Sequence, residues 1–335
     1  MLLRPPPGAH PGTPMSVNFK TLLSFVTAVE TRSISAAAQQ LHLAQPALSQ
    51  QIASLERHFK QKLLTRSSSG VIPTSAGTEL YRHAQLILSH LEQAEREVSG
   101  RTDAIAGSVS VGLATYSTAS TLSTPLLMAV RSRYPGINLF INDNFGLVLS
   151  EMVITGRMDM AIIYASGPMK GVRLEPLLTE ELFLIAPPGT HLPESEGDTI
   201  SLAALDGMDM LLPSRTHFLR QLIDDQCARS SISLHVTAEI ESAATLREAI
   251  EAGLGATILP AALAGTFQGP ERPVVRCIVE PGIQATVSLC VSDHLPMSEH
   301  ASAVLDLLHS LVSELFEEER YAGIRAPNFT EKTTP

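Results

Sequence analysis

Cysteine is scarce and long apolar runs are missing, and each shortage excludes a class of protein. The 335 residues contain three cysteines, Cys227, Cys277 and Cys290, and no two of them form a CxxC pair. This usage predicts a reducing compartment and argues against a disulfide framework or a zinc site. No segment approaches the roughly 18–20 apolar residues that a membrane span requires, so we expect no membrane association.

Sequence signatures of catalysis are missing as well. The chain has no GxSxG motif, no Walker loop, no HExxH motif and no EF-hand. Gly253-Leu254-Gly255 leads into a predicted strand rather than into the helix of a dinucleotide site. His83 and His90 have no carboxylate or cysteine at ligand spacing. We therefore expect no enzymatic activity, no cofactor and no metal.

The two ends of the chain lack the patterns of folded elements. Prolines interrupt residues 1–14 and no export-type cleavage site follows them, so we interpret this segment as a disordered extension rather than a signal peptide. Residues 321–335 are interpreted as a disordered tail. Together with the cysteine usage, the missing export signal predicts a cytoplasmic protein.

Charge is distributed unevenly along the chain. The net charge is −10, yet residues 15–66 carry six Lys/Arg against two Asp/Glu, whereas residues 102–335 carry fourteen against twenty-eight. A mildly basic N-terminal part on an acidic body indicates that the N-terminal part binds nucleic acid.

Residues 19–59 carry three short helical patterns with a tight turn before the third. Ser33 and Ser35 suit the start of the second helix, and the alanines at 36–38 allow two helices to cross closely. Pro46 fits only the first turn of the third helix, where its missing N–H costs nothing. The pattern predicts a helix-turn-helix whose third helix enters the DNA major groove. The buried stripe of that helix is predicted to be Leu48, Ile52, Leu55 and Phe59.

The other side of the third helix carries the candidate base-reading residues. Gln45, Ser49 and Gln50 are polar there, and Gln and Ser can hydrogen-bond to base edges. The next segment, Leu63–Pro73, reads as a β-hairpin wing, with Arg66 placed to enter a minor groove or hold a phosphate. The alternative is that these polar residues are simply solvent-facing. The basic residues, the wing and the segment that follows favour DNA binding instead.

A long helical pattern follows the wing and opens at Thr74, a suitable N-cap. Its apolar residues recur at alternating spacings of four and three, an a/d seam that favours pairing with a partner helix. The alternative is one amphipathic helix packed on its own domain, but roughly 27 residues is long for that. The seam consists of Leu80, Ala84, Ile87, Leu91, Ala94 and Val98.

Beyond Gly107 the pattern changes to alternating strands and helices. Strands at 109–114, 137–143 and 159–164, with helices near 119–134 and 145–156 between them, predict a parallel sheet with right-handed crossovers. A second set follows and begins with a strand at 181–186, and the end of the chain returns to the first set. We therefore predict two α/β lobes with a ligand cleft between them.

Hydroxyl-bearing residues follow several predicted strands at their carboxyl ends, where ligands of open α/β sheets bind. Because helix N-termini favour anions, these residues predict a carboxylate ligand. The alternative is that the hydroxyls merely cap helices, and Glu239 and Glu241 would disfavour an anion if they point inward. The candidates are Thr115, Ser117, Ser214, Thr216 and Ser242.

Segment 19–77, above all SISAAAQQLHLAQPALSQQIASLERHF and LLTRSSSGVIPTSAG, resembles the winged helix-turn-helix of LysR-type transcriptional regulators. The order of elements up to about Glu318 fits that family, which has a winged head, a linker helix and a two-lobed co-inducer domain similar to periplasmic binding proteins. The resemblance implies that a homodimer or homotetramer binds inverted repeats in double-stranded promoter DNA. It also implies effector contacts near Thr115, Ser117, Ser214 and Thr216. The implied DNA contacts are Gln45, Pro46, Ser49, Gln50 and Arg66, with Ser35 as a further candidate.

Two positions depart from the family's pattern. Ala44 stands where many members carry a capping Ser, and Gln50 stands where many carry Arg, so the operator sequence cannot be transferred. Within the family, residues 41–51, 159–164 and 240–260 most resemble the nitrogen assimilation control regulators. That subgroup implies nitrogen-source genes as targets and leaves the need for a small ligand open.

The predicted organisation has a competing hypothesis. An α/β solute-binding or enzymatic protein could use N-terminal helices as an oligomerisation arm. Replacing Ser49 and Gln50 by Ala separates the two, because only a DNA reader should lose operator discrimination. The predicted segments are an extension (1–14), a winged helix-turn-helix domain (15–73), a linker helix (74–101), an effector domain (107–320) with lobe I at about 107–180 and 281–320 and lobe II at about 181–280, and a tail (321–335).

Overall fold

The computed structural model describes residues 17–67, 70–98, 105–165, 167–192, 197–267, 269, 271–317 and 321–327. The chain divides into two compact units between Thr102 and Asp103. Residues 17–98 are termed the head and residues 105–327 the body. The extension predicted at 1–14 lies outside the described residues, as does the part of the tail beyond residue 327.

The head consists of helices and one short hairpin, and side-chain caps set where its first helices begin. Asn18 accepts a hydrogen bond from the Thr21 N–H at 3.0 Å, and the Thr21 hydroxyl accepts one from the Asn18 N–H. Ser33 caps the second helix through the Ala36 N–H at 3.2 Å. The elements are α1 (Phe19–Thr31), α2 (Ile34–Gln40), α3 (Gln45–Phe59), β1 (Leu64–Ser67), β2 (Gly70–Pro73) and α4 (Ser75–Val98).

Small residues let the helices of the head pack closely, as predicted. Ala37 and Ala38 are buried against Leu48 and Ile52 of α3. The prediction for Phe59 was wrong, because its side chain is 42% exposed. The physical reason is that α3 ends there, at a Lys60 C-cap with left-handed backbone.

The wing is fixed to the end of α1 through a glycine. The Val71 N–H donates to the Arg32 carbonyl at 2.9 Å. Gly70 has a φ of +116°, and a Cβ at this position would lie 2.3 Å from that carbonyl oxygen. Only glycine therefore allows β2 to approach α1 this closely.

The linker helix α4 starts as predicted, with the Thr74 hydroxyl accepting the Gly77 N–H at 3.0 Å. Part of its predicted apolar seam packs on the head, and another part is exposed. Leu80 and Ala84 pack on the core of the head together with Leu88, which the seam did not include. Exposed side chains remain at Ile87 (50%) and Leu91 (36%). The side chains of Ala94 and Val98 lie outside the described part of the chain.

The body alternates strands and helices, and a helix at its end returns to its beginning. Its first elements are β3 (Ala106–Ala114), a 3-10 turn (Thr118–Leu122), α5 (Ser123–Arg133), β4 (Gly136–Asn144), α6 (Gly146–Ile154), β5 (Met160–Tyr164) and β6 (Val172–Ala186). Those that follow are β7 (Thr199–Ser201), a 3-10 turn (Leu202–Leu205), β8 (Asp209–Leu212), α7 (Phe218–Arg229), β9 (His235–Glu239), α8 (Ala243–Glu251), β10 (Thr257–Pro260), α9 (Ala261–Ala264), β11 (Val274–Val279), β12 (Gln284–Ser292), α10 (Glu299–Glu317) and β13 (Ile324–Arg325).

Two lobes share strand β6. In lobe I, β4, β3 and β5 run parallel as predicted, and β12 joins β5 antiparallel. In lobe II, β10 and β11 run antiparallel to β6, and β8 pairs with β9. Residues 172–181 of β6 pair with β12, and residues 182–186 pair with the strands of lobe II. Helix α10 packs on β3 and α5, so the end of the chain returns to lobe I as predicted.

Three sequence predictions for the body needed correction. The strand predicted at 181–186 is only the second half of β6, because Arg173, Glu175 and Pro176 interrupt the apolar pattern of its first half. The helix predicted near 119–134 is a 3-10 turn followed by α5. Residues 321–327 were assigned to the tail, yet β13 pairs with β6 there. No described helix is both long and apolar enough to cross a membrane.

Candidate DNA-reading surface and effector cleft

The first turns of α3 present polar side chains away from the core of the head. Gln45, Pro46 and Gln50 are exposed and Ser49 is half-buried, whereas Leu48 between them is fully buried. Pro46 occupies the first turn, as predicted. The structure therefore brings these four candidates together on the accessible side of one helix, termed here the reading surface.

The head holds α3 in place from both of its neighbouring helices. The Ser24 hydroxyl of α1 donates to the Gln51 side-chain oxygen. The turn that leads from α2 is closed by the Leu43 N–H, which donates to the Ala38 carbonyl at 2.8 Å. Ser35 is exposed in the first turn of α2. These contacts use residues outside the reading surface, which leaves its side chains available.

The wing lies at the other end of α3 and depends on Glu56. The Glu56 carboxylate accepts hydrogen bonds from the Lys62 ammonium at 2.7 Å and from the N–H groups of Leu63 and Leu64 at 3.0 and 3.4 Å. Burial opposes ionisation of this carboxyl, but these donors together lower its pKa below the usual value. Arg66 belongs to β1 opposite Val71, and its side chain lies outside what the structure describes.

The body contains a cavity of about 450 Å³ between the two lobes, termed here the cleft. Its walls come from the ends of β3 and β5, the start of α6 and the start of α7. This is the position in which ligands of α/β proteins bind. The residues that line it are Ala114, Phe145, Gly146, Leu147, Ile163, Tyr164, Ala165, Gly167, Pro168, Met169, Thr216, His217, Phe218 and Gln221.

A chain of polar groups crosses from lobe I to lobe II beside the cleft. The Tyr164 hydroxyl donates to the Tyr116 carbonyl at 2.8 Å, and the Tyr116 hydroxyl donates to the Ile240 carbonyl at 2.9 Å. The Tyr164 hydroxyl also contacts the buried Glu180 carboxyl. The Tyr164 hydroxyl has a single hydrogen, which it donates to Tyr116. It can therefore accept a hydrogen bond from Glu180 when Glu180 carries a proton.

Burial favours the protonated form of Glu180. Its side chain is 1% exposed, and burial raises its pKa to about 7 although hydrogen bonds from Thr118 and Tyr164 act in the opposite direction. A protonated Glu180 can donate to Tyr164 while it accepts the Thr118 N–H at 3.1 Å. The polar chain between the lobes is then fully hydrogen-bonded.

His217 is the other titratable residue of the cleft. Burial lowers its pKa to about 4, against the opposing charge of Glu241, so the ring is neutral at physiological pH. Its Nδ1 accepts the Leu219 N–H at 3.2 Å and caps α7. The ring also makes edge contacts with Tyr116 and Phe145. His217 therefore packs lobe II against lobe I without carrying a charge.

The structure brings only Thr216 of the five predicted effector residues onto the wall of the cleft. Ser117 is fully buried and caps the 3-10 turn, and Ser242 caps α8, so both follow the capping alternative. The Ser214 hydroxyl lies 2.9 Å from that of Thr216. The Thr115 Oγ1 is buried, without a hydrogen-bond partner in the described part of the chain.

Sequence reasoning missed the residues that matter most for the chemistry of the cleft, which are Tyr116, Tyr164, Glu180, His217 and Phe218. Little signal was available in the sequence, because Glu180 is one of three glutamates in β6, with Glu175 and Glu181, and only the fold shows that it is the buried one. Among the described residues no cluster of three or more His, Cys, Asp or Glu could hold a metal ion.

Comparison with known proteins identifies the family. The sequence profile described as "Bacterial regulatory helix-turn-helix protein, lysR family" matches residues 19–78, and the profile described as "LysR substrate binding domain" matches residues 102–313. The chain belongs to the LysR family. It is therefore a DNA-binding transcriptional regulator with a winged helix-turn-helix head and a two-lobed α/β effector domain, as predicted.

Two curated relatives that are similar over most of the chain have the same name. The chain is 39% identical over 304 residues to the "Nitrogen assimilation regulatory protein nac" of Escherichia coli (strain K12), covering 91% of this chain and 98% of that protein. The protein of the same name from Klebsiella aerogenes is 37% identical, covering 91% of this chain and 98% of its own length.

Solved structures share the fold at lower sequence identity. A full-length OxyR cysteine variant from Pseudomonas aeruginosa superposes with a TM-score of 0.70 at 22% identity, covering 88% of this chain and 97% of that one. Full-length CbnR in complex with its target DNA superposes with a TM-score of 0.61 at 20% identity, covering 89% of this chain and 99% of that one.

Proposed function

We propose that this regulator controls nitrogen assimilation genes by binding inverted repeats in their promoters as a homodimer or homotetramer. The names of its nac relatives support the nitrogen role, because their similarity extends over 91% of this chain. We expect no enzymatic activity and a cytoplasmic location, since the relatives are named as regulators and promoter DNA lies in that compartment.

The observation that carries the DNA-binding proposal is the reading surface. The side chains of Gln45, Ser49 and Gln50 make no hydrogen bond within the described residues, so they are available to base edges. Glu56 fixes the end of α3 to the wing, where Arg66 belongs to β1. We propose that α3 reads the major groove while Arg66 contacts a phosphate or the minor groove. Ser35, exposed at the start of α2, is a further proposed contact.

Assembly and effector control complete the proposal. Ile87 and Leu91 expose apolar side chains on α4, which supports pairing with the α4 of a second copy. Two such heads would contact the two half-sites of an inverted repeat. A small molecule that binds the cleft would alter how the lobes close, and through the assembly it would alter the DNA contacts.

Footprinting on the regulator's own promoter region tests DNA reading directly. The wild-type protein should protect an interrupted inverted repeat at a stated, moderate salt concentration, because phosphate contacts make the affinity strongly salt-dependent. The double variant Ser49→Ala, Gln50→Ala should lose discrimination between operator and random DNA by roughly tenfold or more, since each good base contact contributes about 1–3 kcal/mol.

The control variant is Ser302→Ala, an exposed serine of α10 in the body, which should leave the footprint unchanged. A wild-type protein that protects no repeat contradicts the proposal. A double variant that discriminates as well as wild type would remove Ser49 and Gln50 from the DNA contacts. Growth on alternative nitrogen sources, compared between a deletion strain and its complement, tests the nitrogen role separately.

A further inference from the structure

Among the described residues, the walls of the cleft contain no side chain that is ionised at neutral pH. Of the residues that line it, only Tyr164, Thr216, His217 and Gln221 carry polar side-chain atoms, and the others are apolar or glycine. A ligand with a full charge would enter this space without an opposite charge to pair with. Burying an unpaired charge costs several kcal/mol even after the protein relaxes.

A carboxylate, that of Glu241, lies beside the cleft. Glu241 accepts the Ser214 N–H at 3.3 Å, and its negative charge acts on both Tyr116 and His217. This arrangement disfavours the anionic ligand that the sequence predicted.

Arg220 of α7 and Arg215 of the loop before it lie close to acidic side chains outside the cleft lining. The Arg220 guanidinium is 3% exposed, donates to Asp224 at 2.8 Å and to the Pro213 carbonyl at 3.1 Å, and lies 3.3 Å from Glu239. Arg215 is 81% exposed and lies 3.9 Å from Glu239. Neither side chain lines the cleft, so its described walls offer a bound carboxylate no cation.

Two kinds of hydrogen-bond donor are available at the cleft. His217 is neutral with Nδ1 as an acceptor, so its hydrogen is on Nε2. Phe145 provides no side-chain cap for α6, which leaves the first N–H groups of that helix without an intrahelical partner. Uncharged acceptors such as an amide or ketone oxygen satisfy these donors without a charge to desolvate. Phe145, Leu147, Met169 and Phe218 provide an apolar surface beside them.

We propose that the cleft binds an uncharged ligand with an apolar body and a hydrogen-bond acceptor, in preference to a carboxylate or an ammonium compound. This inference rests on the proposed function of the cleft as the effector site. A cavity of about 450 Å³ has room for a molecule of metabolite size.

Matched compounds test the preference. The full-length protein is titrated calorimetrically, without DNA, with three skeletons, phenylacetyl, cyclohexylacetyl and 4-methylpentanoyl, each as the amide, the carboxylate and the corresponding primary amine. At least one amide should bind roughly tenfold or more tightly than its carboxylate and its amine, which corresponds to about 1.4 kcal/mol. Saturation-transfer NMR extends the measurement to weak binders.

A charge introduced into the cleft should reverse the order. Gln221→Arg places a cation on the wall, so the variant should prefer the carboxylate of the same skeleton over the amide. Gln226→Arg is the matched control, because Gln226 lies on the same helix outside the lining residues. This control should keep the preference of the wild-type protein.

Tighter binding of the carboxylates or the amines by wild type overturns the inference, as does binding of none of the nine compounds. Equal effects of the Gln221→Arg and Gln226→Arg variants would place the binding outside the cleft and overturn it as well. The titrations use no DNA, so these results are independent of operator recognition. A missing footprint, in turn, contradicts the proposed function without altering the order of affinities.

Discussion

The head and the body each contain a glutamate removed from solvent, and the two behave in opposite ways. The Glu56 side chain in the head is 12% exposed and is surrounded by three donors, so its pKa is lowered. Glu180 in the body is 1% exposed among apolar strands, and burial raises its pKa to about 7. Both carboxyls accept hydrogen bonds that lower the pKa, and only at the more deeply buried Glu180 does burial outweigh them.

This difference matches what each region does. The head uses a permanent carboxylate to join α3 to the wing, which leaves its reading surface free for DNA. The body has a buried acid with a raised pKa beside the tyrosine chain that connects its lobes. The contact of α3 with the wing therefore keeps its charge near neutrality, whereas the contact between the lobes depends on the protonation of Glu180.

Glu180→Gln is expected to give the largest change, because the amide copies the protonated acid at every pH. A raised folded-state pKa contributes stability that is full below the unfolded value of 4.5 and is lost as the pH rises through about 7. Relative to wild type, the variant should therefore gain about 3 kcal/mol in free energy of unfolding between pH 4.5 and pH 8. Guanidinium denaturation followed by tyrosine fluorescence reports mainly on the body, which contains Tyr116, Tyr134, Tyr164 and Tyr321 of the five tyrosines.

Glu151→Gln is the control for this measurement, because Glu151 is an exposed glutamate of α6 in the same body. It should follow the pH trend of the wild-type protein. A Glu180→Gln variant whose stability stays parallel to wild type across this pH range would show that Glu180 is ionised in the folded protein throughout.

Glu56→Ala should have a smaller effect of the opposite pH sign. It removes hydrogen bonds to Leu63 and Leu64 and the Lys62 ion pair, and we expect a loss of about 2 kcal/mol in the head near pH 7. A lowered folded-state pKa contributes stability above the unfolded value that is lost as the pH falls. The gap to wild type should therefore narrow below about pH 4.5. Hydrogen exchange of peptides from α3 and the wing measures this loss of stability and its dependence on pH.

Lys62→Ala separates the two parts of this effect. The Lys62 side chain is 79% exposed, and exposed ion pairs contribute about 1 kcal/mol or less. Its loss should therefore be smaller than that of Glu56→Ala. Equal losses of stability for the two variants would show that the hydrogen bonds from the Leu63 and Leu64 N–H groups contribute nothing, which would contradict this prediction.

The head could be predicted from the sequence almost completely, because its signals are local. Proline at 46, the cap at Thr74 and the alanines of α2 each specify a conformation through neighbours in the chain. Phe59 was placed wrongly because periodicity does not show where a helix ends. The division of the α4 seam was missed because Leu88 and Ile87 are both apolar, and only packing separates them.

The cleft was less accessible to prediction, because residues distant in sequence form it. Tyr116, Tyr164 and Ile240 meet only when β6 and β12 bring the lobes together. The hydroxyl pattern indicated the edge of the sheet at which the cleft lies, but Ser117 and Ser242 act as caps. Whether a serine caps its own helix or faces a ligand depends on a rotamer, and composition does not encode that choice.

Ala44→Ser should have the smallest effect. It tests the start of α3, whose N-cap residue makes no side-chain hydrogen bond. Ala44 has the extended backbone of an N-cap but no capping side chain, and serine there typically adds about 1 kcal/mol. Pro46 has no N–H, so the new hydroxyl can accept only from the Ala47 N–H, which already reaches the Ala44 carbonyl at 2.9 Å. The gain in helix stability should therefore lie at the low end of that range. It should appear as slower hydrogen exchange in the first turn of α3. Ala53→Ser, an exposed position in the middle of the same helix, should instead speed exchange, because serine favours caps over helix interiors. If both variants shift exchange in the same direction, the start of α3 is limited by its packing on α1 and not by the missing cap.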